Sequence, residues 1–170
     1  QKAKLHNSSR SVIKHFYLNA ISIFHSTDEP TLFVASGVGS NHTWEVMIGN
    51  QTSVGPSDDA RTSYIAPLLI NISETVHVTR GREIVEIRGR HFGPVDSRNV
   101  ITMIYTRPFD AKEKMLSYRA LNCEVMVAHV SVNCSTAPGV GRNFRWISIV
   151  GGQHSPPSTF RTRYVAPRIQ

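Results

Sequence analysis

Residues 35–51, Ala35-Ser-Gly-Val-Gly-Ser-Asn-His-Thr-Trp44-Glu-Val-Met-Ile-Gly-Asn-Gln51, align without a gap on residues 137–153, Ala137-Pro-Gly-Val-Gly-Arg-Asn-Phe-Arg-Trp146-Ile-Ser-Ile-Val-Gly-Gly-Gln153. After a two-residue difference in length, Tyr64-Ile-Ala-Pro67 aligns on Tyr164-Val-Ala-Pro167. The chain therefore contains an internal repeat with a period of about 100 residues. We predict two units, residues 1–66 and 67–170, built on the same plan.

The shared segment has a structural interpretation throughout. Its Gly-x-Gly forms a loop that needs positive φ, and the tryptophan opens a strand with its ring in the core. Gly49 or Gly151 then turns a hairpin before the glutamine. Tyr-x-Ala-Pro is predicted to form the last strand, which the proline ends while stiffening the passage to the next unit.

Hydrophobic residues alternate with polar ones along the chain, which is typical of strands with one buried face. The clearest runs are Glu83 to Arg88, Val130 to Asn133, Arg145 to Ile149 and Trp44 to Ile48, with glycine and proline turns between them. The segment Ser11 to Phe24 could be helical or extended, and its Val, Ile, Phe and Tyr content favours strands. The pattern predicts an all-β protein made of antiparallel sandwiches.

Charge is distributed unevenly between the two units. The chain of 170 residues has a formal net charge of +7, whereas residues 1–67 hold five basic and five acidic side chains, so the whole excess lies in residues 68–170. Such a surface favours an acidic partner, either nucleic acid or an anionic sugar. The sequence has neither a membrane-spanning apolar stretch nor a signal peptide, so we expect a mature chain or a fragment without direct membrane insertion.

Five Asn-x-Ser/Thr sequons occur, more than the composition leads one to expect, and they indicate an extracellular or cell-surface glycoprotein. They are Asn7, Asn41, Asn50, Asn71 and Asn133. The competing interpretation is that an Asn- and Ser-rich surface produced them by accident. Asn133 is the weakest candidate because its middle residue, Cys134, could be held in a bridge.

Cys123 and Cys134 open and close a segment that reads as two strands joined by a tight turn. In an extracellular setting we expect a disulfide between them, worth about 2 to 3 kcal/mol for so short a loop. Two buried free thiols and a metal-binding pair are the alternatives, the latter disfavoured because no second Cys or His pair stands at zinc spacing.

The second unit resembles the immunoglobulin-like, plexin and transcription-factor (TIG or IPT) domain. The resemblance covers Ala66 to Pro167: the entry strand from Pro67, then Gly89-Arg-His-Phe92-Gly93, then Cys123, Cys134, Ala137-Pro-Gly-Val-Gly141 and Tyr164-Val-Ala-Pro167. The resemblance implies a seven-stranded sandwich without enzymatic activity. Extracellular members form beads in receptors and adhesion proteins, and intracellular members dimerise DNA-binding transcription factors.

The first unit departs from this pattern because it lacks the counterpart of Leu68 to Val100, which carries the first two strands. A sandwich without them would expose an apolar groove and an unpaired edge. Three explanations compete: the chain is a fragment of a longer repeat protein, residues 1–30 cover the gap, or another molecule donates a strand.

The third explanation leads to an assembly hypothesis. The tail of one protomer, or the apolar segment near the N-terminus, pairs with the incomplete unit of the next protomer, which builds a head-to-tail filament because such a contact does not close on itself. The predicted interface residues are Tyr164, Val165, Pro167 and Ile169 in the tail and Val12, Ile13 and Phe16 near the N-terminus.

Four arginines form a candidate surface for an acidic partner: Arg88, Arg90, Arg161 and Arg163. Members of each pair are two apart and point to one face of a strand. The alternative is a solvated outer face that resists edge pairing. DNA binding fits the charge but not the sequons or the lack of a basic arm, and a fragment of a plexin-like receptor ectodomain is a further alternative.

No catalytic or metal-binding motif is present in the sequence. The eight histidines are scattered, and acidic pairs such as Asp28-Glu29 and Asp58-Asp59 lie in turn-rich stretches. We therefore expect a non-enzymatic structural or adhesive protein without cofactors other than covalent N-linked glycans. Its expected partners are other copies of itself and glycans, and not nucleic acid.

Overall fold

The computed structural model describes residues 11–15, 34–48, 51–52, 61–95, 101–107 and 116–169. Within these ranges the regular structure is entirely β, as the alternating pattern predicts. The first unit contains β1 Ser11–His15, β2 His42–Ile48, β3 Gln51–Thr52 and β4 Arg61–Thr62. The second contains β5 Leu68–Ile72, β6 Val76–His77, β7 Ile84–Arg90, β8 Ile101–Thr106, β9 Ser117–Arg119, β10 Leu121–Val127, β11 Ser131–Ser135, β12 Arg145–Val150, β13 Gln153–His154 and β14 Arg163–Tyr164.

Two four-stranded antiparallel sheets make up the second unit. One has the order β10-β11-β7-β5 and the other the order β13-β12-β8-β9, while β6 and β14 form a short parallel pair. Along β8 and β12 every second residue is buried, because successive side chains of a strand point to opposite faces. The buried side chains of both sheets belong to one hydrophobic cluster, which is the arrangement of a β-sandwich.

The centre of this cluster is aromatic. The ring of Trp146 is fully buried and stacks on Tyr105 with their centroids 4.3 Å apart. Its indole Nε1 donates to the Thr162 hydroxyl at 3.0 Å, so its buried polar group has a partner. Trp146 was predicted to have its ring in the core, and this is confirmed, whereas the side chain of the aligned Trp44 lies outside the described part.

Strand pairing in the first unit follows the register of the second. Ser11 pairs with Ile48, and Ile101 pairs with Val150, which is the residue aligned with Ile48 in the repeat. β1 therefore pairs with β2 in the register that β8 has with β12. The hairpins also match, since Ile48 pairs with Gln51 as Val150 pairs with Gln153. The interpretation of Ser11 to Phe24 as strands is confirmed for residues 11–15, and residues 16–24 lie outside the described part.

The last strand of each unit is shorter than predicted and lies earlier in the sequence. β4 ends at Thr62, before Tyr64, and β14 ends at Tyr164, so neither Ala-Pro is in a strand. In the second unit Tyr164 is buried, and its hydroxyl is hydrogen-bonded to that of Tyr105 at 2.7 Å. Beyond the tyrosine, the Val165 N–H still donates to the His77 carbonyl at 2.8 Å, so the pairing with β6 continues for one more backbone bond.

A disulfide joins Cys123 in β10 to Cys134 in β11, with the two Cα atoms 4.1 Å apart. Cys134 is buried in the core cluster, whereas Cys123 is half-buried at its margin. The predicted bridge is therefore confirmed, and the free-thiol and metal-pair interpretations are wrong. The bridge closes a short loop and fastens the outermost strand of its sheet to the core.

Replacing both cysteines by alanine should lower the free energy of unfolding by about 3 kcal/mol, because the unfolded chain regains the entropy that the closed loop removes. Urea unfolding followed by tryptophan fluorescence measures this difference. Treating the unaltered protein with a reductant should give a comparable loss. A loss well under about 1 kcal/mol would show that the bridge adds little to the stability that the core already provides.

His77 in β6 is fully buried and is the largest polar side chain in the core. Its ring packs edge-on against Trp146 and Tyr164, and within the described residues neither ring nitrogen has a hydrogen-bond partner. The nearest charge is the Glu83 carboxylate, 3.8 Å from Nδ1. Burial lowers the pKa of His77 below its ordinary value, although the negative charges of Glu83 and Glu74 oppose this shift.

The stability of the protein should therefore depend on pH. Because the pKa of His77 is lower in the folded than in the unfolded state, its contribution is complete above about pH 6.5, the unfolded-state value, and decreases as the pH falls toward the folded pKa. Urea unfolding between pH 8 and pH 5 measures the loss. The change His77→Leu should make the free energy of unfolding less dependent on pH in this range, whereas the same change at exposed His154 should leave the pH dependence as it is in the unaltered protein. Equal curves for both variants would contradict the assignment.

Candidate functional site: the junction between the units

A loop of the first unit is fixed by the tyrosine that follows β4. The Tyr64 hydroxyl donates to the Ala35 carbonyl at 2.7 Å, and its backbone N–H donates to the Gly39 carbonyl at 2.9 Å. Burial raises the pKa of this tyrosine. The His42 ring packs edge-on against Tyr64 and donates from Nε2 to the Val38 carbonyl at 3.1 Å. These bonds hold residues 37–39, which we call the 37–39 loop, in one conformation.

The β12–β13 hairpin of the second unit packs on this loop. A Cβ added to Gly151 would stand 2.6 Å from the Gly39 nitrogen and 2.8 Å from its Cα, so the two backbones touch only because residue 151 is glycine. Beside this contact, the Gln153 side-chain amide donates to the Tyr64 carbonyl at 2.9 Å. We call residues 151–153 the 151–153 turn, and its contact with the 37–39 loop the junction.

Two further contacts widen the junction. Val38 is half-buried and packs against the core cluster of the second unit. Next to it, the Ser36 hydroxyl and the His129 Nε2 are hydrogen-bonded at 2.7 Å, and His129 belongs to the turn between β10 and β11. The two units therefore meet through apolar packing, backbone contact and side-chain hydrogen bonds rather than through the linker alone.

Two predicted glycosylation sites share the outer face of one sheet. Asn71 in β5 stands opposite Arg88 of β7, and Asn133 in β11 stands opposite Glu86 of β7. Asn71 is exposed and Asn133 half-buried, whereas the neighbouring Cys134 points into the core. Directly opposed residues share a face, so glycans on both would cover this sheet. Asn41 is exposed beside the 37–39 loop, while Asn7 and Asn50 lie outside the described residues.

The four arginines predicted to bind an acidic partner are all exposed, but they do not form one site. Arg88 is paired with Glu86 through two hydrogen bonds of 3.0 and 3.2 Å, and this pairing raises its pKa. Arg90 lies two residues further along β7, Arg163 lies in β14, which pairs with β6, and Arg161 lies two residues before it, outside any strand. Each pair therefore lies on its own segment, and Arg88 and Arg163 belong to different sheets.

The residues predicted for assembly separate into three groups. Tyr164 is only 4% exposed because its ring packs in the core of its own unit, so it offers little surface to a second protomer, and its part in assembly stays a prediction. Val165, Pro167 and Ile169 are exposed and lie outside any strand. The backbone of Val12 and Ile13 pairs with β2 of the same chain, and Phe16 lies outside the described residues. Strand donation between protomers stays a prediction.

The described residues include an open cavity but no cluster of metal-ligating side chains. Among them no group of three or more His, Cys, Asp or Glu side chains could hold a metal ion, and no helix there could cross a membrane. An open cavity of about 440 Å³ lies between Arg80, Arg82, Glu83 and Pro138. Its two arginines are exposed, and the backbone N–H of Arg82 donates to the Thr136 carbonyl at 2.8 Å.

The chain matches no protein-family model, and no curated protein is significantly similar to it.

The sequence predicted the loop and the hairpin but not that they touch. Gly151 and Gln153 are explained within their own unit as the turn of a hairpin, and nothing in their spacing indicates a partner. The signal was in the repeat itself, because both residues recur as Gly49 and Gln51 although a hairpin turn tolerates other side chains. Ser36 and His129 have no counterpart in the repeat and could not have been found from it.

Replacing Gly151 with alanine should open the junction. The new Cβ would overlap the backbone of Gly39, whereas at the neighbouring Gly152 a Cβ would meet no atom within 4 Å. Both glycines have positive φ, so Gly152→Ala is a matched control that shares the backbone strain of about 1 kcal/mol but not the overlap. Small-angle X-ray scattering should show a broader range of shapes for Gly151→Ala only. Identical curves for both variants would contradict the contact.

Proposed function

We propose that this chain is a stiff segment of a secreted, N-glycosylated array of immunoglobulin-like sandwiches of the TIG type. Its role is structural and not enzymatic: it holds neighbouring domains, and whatever they carry, at a fixed distance and angle. The junction is the observation on which the proposal depends. Independent domains on a flexible linker need no fitted contact, whereas here a glycine lets two backbones touch and a half-buried side-chain amide joins them.

Tandem organisation of one domain type is supported by a second set of equivalences. Gly39 and Gly141 have φ of 101° and 109°, and Asn41 and Asn143 have φ of 62° and 65°. The tyrosine bonds are also repeated, since Tyr164 donates its hydroxyl to the Ala137 carbonyl at 2.7 Å as Tyr64 does to Ala35. Two segments that share sequence, strand register and loop conformation are best explained as copies of one domain.

An extracellular setting is supported by the disulfide and by the position of the sequons. Structural disulfides persist in oxidising compartments and are rare elsewhere. The outer face that carries Asn71 and Asn133 holds the paired Arg88 and Glu86 between them, so glycans there would cover a face whose charges are already balanced. This arrangement leaves the ends of the sandwiches, rather than their faces, for contact with protein.

Two measurements on material secreted from eukaryotic cells test the proposal. The intact mass should exceed the 19.0 kDa of the polypeptide and fall after glycosidase treatment. Changing Asn71 to Gln, and separately Asn133 to Gln, should each remove one glycan. In addition, small-angle scattering of the monomer should fit one elongated shape with a single angle between the units.

Two outcomes would contradict the proposal. An unmodified mass after secretion would remove its glycoprotein part. A scattering curve that requires a freely hinged pair of domains would remove its structural part. If the unmodified chain also retarded a DNA duplex at physiological salt, the transcription-factor interpretation would replace it, because sequence-independent DNA affinity follows from neutralised phosphates.

A further inference from the structure

Each half of the junction has a copy elsewhere in the chain: the second unit has a loop like the 37–39 loop, and the first unit has a sequence like the 151–153 turn. Within the described residues, neither copy is covered as its counterpart in the junction is. In the first unit, Val38 is half-buried between Gly37 and Gly39, which are both buried. In the second unit, the aligned Val140 is 58% exposed, and the glycines on either side of it are half-buried. The backbone conformations agree, so the difference arises from the second unit covering one loop and nothing in the described residues covering the other to the same degree.

The complementary half shows the reverse difference. Gln153 is half-buried because its amide reaches the Tyr64 carbonyl, whereas the aligned Gln51 is exposed. Gln51 nevertheless pairs with Ile48 in the register that Gln153 has with Val150, so its strand stands in the same place on the sheet. The first unit thus presents a Gly-x-Gln sequence, and the second presents a loop of the kind on which this sequence docks.

The Val140 loop is held ready for such a contact. The Tyr118 hydroxyl accepts from the Val140 N–H at 3.0 Å and lies 3.1 Å from the Val140 carbonyl, to which it can donate. On the same loop, the Tyr164 hydroxyl donates to Ala137. Because the backbone is fixed on both sides, docking would cost little conformational entropy. A solitary exposed valine needs no explanation, but an exposed valine whose aligned copy is covered does.

The turn sequence of the first unit also fits the geometry of the junction. Residue 151 must be glycine, because any Cβ there would overlap the loop, and the aligned residue 49 is glycine. Residue 152 faces open space, and the aligned residue is Asn50, the asparagine of a sequon. A side chain at that position, even one that carries a glycan, can extend into solvent without overlapping the loop.

We propose that the loop at residues 139–141 is a docking site for the Gly49-Asn50-Gln51 turn of a second copy of this chain. The inference rests on the proposed function, because it takes the internal junction as the pattern for contacts between copies. The loop and the turn lie on different units, so two chains joined by one contact still have one unoccupied loop and one unoccupied turn between them. The contact is heterologous and extends head to tail without closing. Its occupant is the turn of another repeat, in place of the donated strand that the sequence pattern indicated.

Sedimentation equilibrium of the full chain, with and without its glycans, tests this docking. Within one chain, a short linker holds the two halves of the junction at an effective concentration of about 1 mM, and the junction is formed at that concentration. The same contact between separate chains should therefore have a Kd of about 1 mM or somewhat below. The change Val140→Asp should weaken association at least about tenfold, because a carboxylate would have to be buried against apolar side chains. Val127→Asp is the matched control, because Val127 is 54% exposed but lies in β10.

A mixing experiment tests the head-to-tail geometry. Val140→Asp leaves the turn intact, and Gln51→Ala leaves the loop intact, so each variant alone should associate more weakly than the unaltered chain. Mixed together, they retain one complete contact and should form a discrete 1:1 pair that does not grow further. A symmetric contact between identical surfaces would give no such rescue.

Three results would overturn the docking site. The unaltered chain could remain monomeric up to about 1 mM, Val140→Asp and Val127→Asp could have equal effects, or the mixture could associate no better than its components. Small-angle scattering of dilute, monomeric protein tests the proposed function separately, because it reports whether the two units of one chain keep a fixed angle. Val140→Asp should not change that curve, since Val140 is not part of the internal junction. A rigid but strictly monomeric chain would keep the structural role and remove the docking site.

Discussion

A tyrosine hydroxyl that reaches an alanine carbonyl across the end of a sandwich is the constraint on which the remaining features depend. In each unit it closes a loop of more than 25 residues of chain with a bond of 2.7 Å, and the same tyrosine binds the loop glycine through its backbone N–H. The hydroxyl is partly or fully shielded from water, so an unmade bond would leave a buried polar group unpaired. The loop therefore has one stable conformation. A surface with one conformation can serve as a fitted contact, which a mobile loop cannot.

Glycine is required in this loop for two different reasons. At Gly39 and Gly141 the backbone has φ above 100°, which side chains with a Cβ rarely adopt. At Gly139 the requirement is space, because an added Cβ would stand 2.7 Å from the rings of Tyr118 and Tyr164. The sequence Gly-Val-Gly is thus fixed within a single unit by conformation and packing, and the valine between the glycines is the one side chain left to meet a neighbour.

The alternation of apolar and polar residues was enough to predict the all-β class and most of the central strands. A strand with one buried face needs an apolar side chain at every second position, so its burial is visible in the sequence. Strands β7, β11 and β12 lie within two residues of their predicted positions. The pattern could not place β14, which ends at Tyr164, because the strand has only two residues and an alternation cannot be recognised in so short a run. Nor could it distinguish Tyr164 as a core residue from Val165 as an exposed one, because both read as apolar in a terminal strand. The disulfide was predictable because two cysteines eleven residues apart on a hairpin have few alternatives.

Contacts between units are harder to predict because they depend on which surfaces the linker brings together, and a single chain contains only one example. Here the repeat compensates for this, since it allows a covered surface to be compared with its uncovered copy in the same molecule. Val38 and Val140 differ in exposure, whereas their loops share the Gly-Val-Gly sequence and the positive φ of the second glycine, so the comparison indicates the effect of the neighbouring unit. In the docking that we propose, the 139–141 loop of one copy receives the Gly49-Asn50-Gln51 turn of the next, so the contact has a direction and copies follow one another head to tail.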